Sequence, residues 1–180
     1  MIKPSATFFI IPGFRQKATD KSFSWLVKYL KKRNFKVILV PIVWNYRVMS
    51  DYLGDFKDFY NKNKSSKNYV LGFSYGAIIA FVSANDLKPT KIYLCSLSPE
   101  FKEDIPPMRP WIKKLVGKRR LADSSTRSAR KIARELKIPS VVFYGEKEGK
   151  QYPELKLRCE ETNKLAKFSN LVVVSKSTHK

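Results

Sequence analysis

Six short apolar runs recur along the chain, separated by longer stretches in which apolar residues return every three or four positions. Ala6-Thr7-Phe8-Phe9-Ile10-Ile11, Lys36 to Ile42, Asn68 to Leu71, Thr90 to Ser96, Ser140 to Tyr144 and Asn170 to Val174 are rich in β-branched and aromatic residues. Most are continuously apolar rather than alternating, which is the pattern of strands buried on both faces. Between them, Ser22 to Arg33 places Phe23, Leu26, Val27 and Leu30 at i, i+3, i+4, i+7 spacing. Ser50 to Asn63 puts Tyr52, Leu53, Phe56 and Tyr60 on one helical face, and Glu154 to Lys167 forms another helix. Strands alternating with helices predict an α/β fold: a three-layer, doubly wound sheet of about six mainly parallel strands with helices on both faces. Residues 99–137 hold no strand pattern and are expected to form a small basic helical cap, with Ser124 to Leu136 as one helix.

Size and composition narrow this picture. At 180 residues the whole chain, 1–180, is expected to form one domain with a proper core. The N-terminal apolar run, Phe8 to Ile11, is too short for a signal segment or a membrane span, and no later run is long enough to span. Cys95 and Cys159 stand far apart and show no disulfide framework or metal spacing, which suits a reducing compartment. The expectation is a cytoplasmic protein without metal or cofactor. Its charge is less ordinary: 36 Lys and Arg oppose 15 Asp and Glu, a formal net charge of +21. Such a field attracts nucleic acid, anionic lipid or acidic metabolites. The basic residues occur in nearly every segment, as they do on a solvated lysine-rich surface.

The chemistry concentrates after the third run. Gly72-Phe73-Ser74-Tyr75-Gly76 sits between a predicted strand and a predicted helix. A serine on so sharp a turn needs small residues two positions away on each side, and Gly72 and Gly76 supply them. This is the G-x-S-x-G nucleophile elbow, which exposes the serine hydroxyl and aims helix-terminal N–H groups at whatever it attacks. The amide of Tyr75 would be one such oxyanion donor. The single histidine, His179, follows the last strand by a short loop and is placed to take the proton of Ser74. A carboxylate should orient that imidazole. Glu146 and Glu148 both follow the fifth strand, and the residues alone do not choose between them.

From Ala6 to His179 the chain resembles the α/β-hydrolase superfamily, and within it the small single-domain bacterial serine hydrolases. The order Ser, Glu, His matches. The resemblance places the acid three residues after the glycine that ends the fifth strand, on Glu148, where the family more often carries Asp. Some relatives take it from the fourth strand, which here makes Glu100 a third candidate. The resemblance also implies a second oxyanion donor from Pro12-Gly13-Phe14-Arg15, the amide of Phe14, with Gly13 allowing close backbone approach. It implies a serine hydrolase acting on small-molecule carboxylic esters or thioesters through a Ser-His-Glu acyl-enzyme mechanism.

Arg109 to Lys137 contains eleven Lys and Arg against Asp123 and Glu135, with Trp111, Ile112, Leu115 and Val116 interleaved. A cap with this cationic face would receive an anionic acyl donor. The alternative reading of the same charge is a non-catalytic hydrolase-like module that binds nucleic acid or another anionic partner, although no nucleic-acid-binding motif is present.

Overall fold

Strand β1 (Ala6–Ile11) is buried along its whole length, and Phe9, Ile10 and Ile11 have no exposed surface. Burial of side chains this large contributes about 1.5–3 kcal/mol each, so this run anchors the middle of the sheet. It pairs on one side with β2 (Phe35–Leu39) and on the other with β3 (Asn68–Phe73). Beyond β3 lie β4 (Lys91–Cys95), β5 (Ser140–Gly145) and β6 (Ser169–Val174), giving the order β2-β1-β3-β4-β5-β6 with every pair parallel. The computed structural model describes residues 6–179, so residues 1–5 and 180 of the expected 1–180 domain lie outside the described residues.

Helices join the strands on both faces, unevenly. On one face α1 (Lys21–Lys32) packs Phe23 and Leu30 against Phe8 and Ile10. The opposite face carries α2 (Met49–Asn63), α3 (Tyr75–Leu87), α6 (Ala129–Glu135) and α8 (Pro153–Leu165). Helix α2 buries Met49, Tyr52, Phe56 and Tyr60 at three- and four-residue spacing, while Leu53 is only partly covered. Helix α3 is apolar nearly all round and accordingly lies buried at the centre of that layer.

Between β4 and β5, residues 99–137 contribute α4 (Pro110–Val116), α5 (Lys118–Ser124) and α6. The helix expected over Ser124 to Leu136 is shorter: Ser124 ends α5, residues 125–128 form a break, and only Ala129–Glu135 are helical. Ser128 caps α6, its Oγ accepting from the Lys131 N–H at 3.2 Å, while the Glu103 carboxylate accepts from the Ala129 and Arg130 amides. N–H groups that a helix start leaves without acceptors are thereby met, and the chain turns there rather than continuing. A second difference follows β5. The two glutamates expected in a loop open a short helix, α7 (Glu146–Gln151), whose first turn is closed by the Gly145 N–H donating to Glu148 Oε2 at 2.9 Å.

The strand order reverses between β1 and β3, because β2 lies to one side of β1 and all later strands to the other. In open parallel sheets, loops leaving the carboxyl ends of the strands on either side of such a point part to form a crevice. Here those loops begin at Pro12 and Ser74.

Candidate active site

Ser74 has φ 54° and ψ −115°, a backbone conformation that costs on the order of 1–3 kcal/mol for a non-glycine residue. Its surroundings hold it there. The Ser74 N–H donates to the Cys95 carbonyl at 2.8 Å, tying the end of β3 to the end of β4. A Cβ on Gly72 would lie 2.2 Å from the Gly76 carbonyl oxygen, and one on Gly76 would lie 2.4 Å from that of Pro12. Gly13 also packs close, since its Cβ would stand 3.3 Å from that of Ser74. Tyr75 is the first residue of α3, so its N–H is one of the amides without an intrahelical acceptor. The Gly13 N–H donates to Gln16 Oε1 at 3.0 Å, and Phe14 is the next residue along that loop.

The three candidate carboxylates have different surroundings. Glu148 is fully buried, and its Oε1 meets His179 Nδ1. Its Oε2 accepts from Ser96 Oγ and from the Gly145 N–H, each at 2.9 Å. Burial pushes this carboxyl up, but the bonds from His179, Gly145 and Ser96 outweigh it and hold Glu148 below the usual range. Glu146 serves the histidine loop instead, its Oε2 accepting from the Lys176 N–H at 3.1 Å. The Ser177 carbonyl accepts from the Lys147 and Glu148 amides, so α7 grips that loop from its own N-terminus. The imidazole is further packed between Phe73, 5.1 Å away between ring centroids, and Tyr152, at 6.2 Å.

Glu100 lies elsewhere, in the cavity wall beside Tyr75. Burial raises its carboxyl to about 7, with the nearby Tyr75 hydroxyl and Arg120 guanidinium pulling it partway back. The phenol lies against it without closing a hydrogen bond of good geometry. The folded protein therefore holds this proton more tightly than the unfolded chain does. Its contribution to stability is full below the ordinary glutamate range and is lost as pH rises through about 7. Glu100→Gln cannot ionise, so it should gain on the wild type between about pH 5 and about pH 8, by up to about 3 kcal/mol. Urea unfolding of both chains at the two pH values measures this, and a difference independent of pH would contradict it.

Ser74, Tyr75, Phe14 and His179 all border one cavity of about 850 Å³. Its walls are largely apolar, with Ile112 and Val116 from α4 and Leu155 from α8 among them. Ser74 Oγ is 3.1 Å from Ser98 Oγ. The arginines bordering the cavity are mostly compensated: Arg158 bonds Asp104 and Glu161, and Arg130 bonds Glu161. Arg120 donates to the Trp44 and Arg47 carbonyls and lies over the Phe14 ring. Cys95 and Cys159 are free, and burial pushes both thiols up to about 12, so neither supplies a thiolate. Among the described residues, no three His, Cys, Asp or Glu side chains are grouped to hold a metal.

Ser96 and Ser98 carry no signal in the sequence. Each is an ordinary serine in Cys95-Ser96-Leu97-Ser98, and only the adjacency of β4 to β3 and β5 brings them to Ser74 and Glu148. The positive φ of Ser96, 54°, is likewise invisible in the sequence.

The parallel sheet, its reversal at β1 and β3, and the strained serine between strand and helix together define one architecture. The fold is that of the α/β hydrolases. Est1E from Butyrivibrio proteoclasticus, solved with ferulic acid bound, superposes with a TM-score of 0.79 over 99% of this chain and 82% of its own, at 13% identity. A structure from a study of carboxylesterases of Nitrososphaera gargenis gives 0.77 over 99% and 84%, at 14% identity. MenH from S. aureus gives 0.70 over 99% and 88%, at 12% identity. No protein-family model and no curated protein sequence matches the chain. At such identities the likeness establishes the α/β-hydrolase fold, and activity must be argued from the site.

Proposed function

We propose that this α/β-hydrolase-fold chain is a serine hydrolase that cleaves carboxylic esters or thioesters without a cofactor. The observation that carries the reading is the imidazole of His179, held on a fully buried Glu148 at the wall of the cavity that also receives Ser74. With Nδ1 committed to Glu148, Nε2 is the ring nitrogen that takes the Ser74 proton. Ser74 Oγ turns from Ser98 and attacks the acyl carbon. The Tyr75 and Phe14 amides receive the charge that develops on the carbonyl oxygen. His179 then gives its proton to the departing alcohol or thiol. Water enters, gives a proton to the same nitrogen and attacks the acyl carbon, and His179 returns that proton to the departing Ser74 oxygen as the acid leaves.

The apolar walls favour an uncharged acyl group. The anionic acyl donor expected from the basic segment would meet guanidiniums that, Arg109 apart, already have partners. The likeness to the structure from a study of carboxylesterases of Nitrososphaera gargenis supports ester chemistry on this scaffold.

Labelling by a fluorophosphonate probe tests the reading. The wild type should be labelled, Ser74→Ala should not, and His179→Ala should be labelled at least about 10³-fold more slowly. Undiminished labelling of His179→Ala would remove the histidine from its role. A folded wild type that resists the probe would favour the non-catalytic binding module, and polynucleotide binding that weakens steeply with salt would support that alternative.

A further inference from the structure

Beside the cavity mouth the chain exposes what a globular surface usually hides. No residue of α4 is buried; Trp111 is 61% exposed and Leu115 73%. The two are four positions apart and so share one face of the helix. On α8, Leu157 is 64% exposed. Leu115 and Leu157 both border the cavity, so these apolar side chains form its rim rather than a separate patch. Large exposed apolar side chains grouped at the opening of one cavity mark a place where something docks.

The charge around this rim identifies the partner. From Ile105 to Ala122 the chain has no acidic residue and six basic ones: Arg109, Lys113, Lys114, Lys118, Arg119 and Arg120. Three have partners: Lys113 the Pro106 carbonyl, Arg120 the carbonyls of Trp44 and Arg47, and Arg119, at 4.0 Å, the Asp51 carboxylate. Arg109, Lys114 and Lys118 are exposed. An aromatic ring and leucines at the centre, with lysine and arginine around them, match the boundary between acyl chains and anionic headgroups. A nucleic acid would use the cations and could stack on Trp111, but it offers nothing to Leu115 and Leu157.

We propose that the rim formed by α4, the start of α5 and Leu157 docks on an anionic lipid bilayer, with the cavity mouth against the interface. An ester-bearing amphiphile then passes from the bilayer into the apolar cavity without crossing water. Only this last step rests on the hydrolase reading; the docking itself does not.

The test is sedimentation of the wild-type chain with vesicles of diether phosphatidylcholine, alone or mixed with diether phosphatidylglycerol. These lipids have no ester to cleave, so binding is read without turnover and can fail or succeed independently of probe labelling. The chain should bind the anionic vesicles, with affinity falling as salt rises. Trp111→Ala/Leu115→Ala should weaken binding by about tenfold or more. Lys114→Glu/Lys118→Glu should weaken it by about 30-fold or more. Brominated lipid should quench tryptophan fluorescence in the wild type more than in Trp111→Phe. All these side chains are solvent-exposed, so the variants should keep the wild-type circular dichroism. Failure to bind anionic vesicles would overturn the proposal. So would binding that the rim variants leave unchanged, since the attraction would then belong to the general charge. Rim-dependent capture of a polynucleotide in place of vesicles would assign the surface to nucleic acid instead.

Discussion

Glu148→Gln should lower kcat on an ester substrate by about 10³–10⁴-fold while leaving the protein folded. The amide can keep the structural half of the carboxylate's work. Its oxygen takes the place of Oε2, accepting from Ser96 Oγ and the Gly145 N–H. Its NH2 then faces His179 Nδ1 and must donate to it. That forces the proton onto Nε2, the nitrogen that has to accept from Ser74. The ring stays in place in the wrong tautomer. Glu146→Gln keeps a carbonyl oxygen to accept from the Lys176 amide and loses only the exposed ion pair with Lys150, so it should change kcat by less than about tenfold. Steady-state kinetics on one chromogenic ester, with thermal melts as the folding control, separates the two. Comparable losses at both positions would mean that the histidine loop as a whole, rather than Glu148, sets the tautomer.

The contrast between these two glutamates shows what the sequence holds and what it lacks. Continuous apolar runs such as Ala6 to Ile11 and Ser140 to Tyr144 read directly as buried strands, because a strand covered on both faces has no reason to alternate. Gly72 and Gly76 read as an elbow because backbone crowding there excludes every other residue. The choice of Glu148 over Glu146 is different in kind. It depends on α7 starting at once after β5, which turns positions 146 and 148 toward different neighbours. Nothing in Gly145-Glu146-Lys147-Glu148-Gly149 carries helical periodicity. That helix is made by the capping bond from Gly145 and by its grip on Ser177, a residue beyond the whole of α8 and β6.

The same limit governs the basic segment. Counting charges between Arg109 and Lys137 gives a strongly cationic stretch, but not which cations are spoken for. Arg158 finds Asp104 across 54 residues, and both are largely buried, so the pair is a packed element of the cavity wall and not a steering charge. Arg127 bonds Asp123 and Ser50 in the same way, stitching the segment to α2. Exposed cations remain on α6, at Lys131 and Arg134, as well as on α4 and the start of α5, but only the latter stand among exposed apolar side chains, Trp111 and Leu115, that composition alone would assign to the core. Net charge therefore points to association, while the fold decides which surface is free for it.

Gly72→Ala should destabilise the protein by about 3 kcal/mol or more, and Gly76→Ala by a similar amount. The methyl group added at position 72 would be driven to 2.2 Å from one backbone atom and 2.6 Å from another, both in α3, which is packed from every side. No side chain can swing aside, because the obstacles are main chain. Relief requires α3 to lift from the sheet, which would separate the Tyr75 amide from Ser74 and uncover some of the most deeply buried residues in the protein, including Ile78, Ile79 and Phe81. Gly54 provides the internal control. It lies in the interior of α2 with no atom within 4 Å of its would-be Cβ, so Gly54→Ala should stabilise by about 0.5–1 kcal/mol through helix propensity alone. Urea denaturation of the three variants measures both signs together. If Gly72→Ala unfolded at the same midpoint as Gly54→Ala, the close approach of β3 to α3 that holds Ser74 at positive φ would not be present in solution.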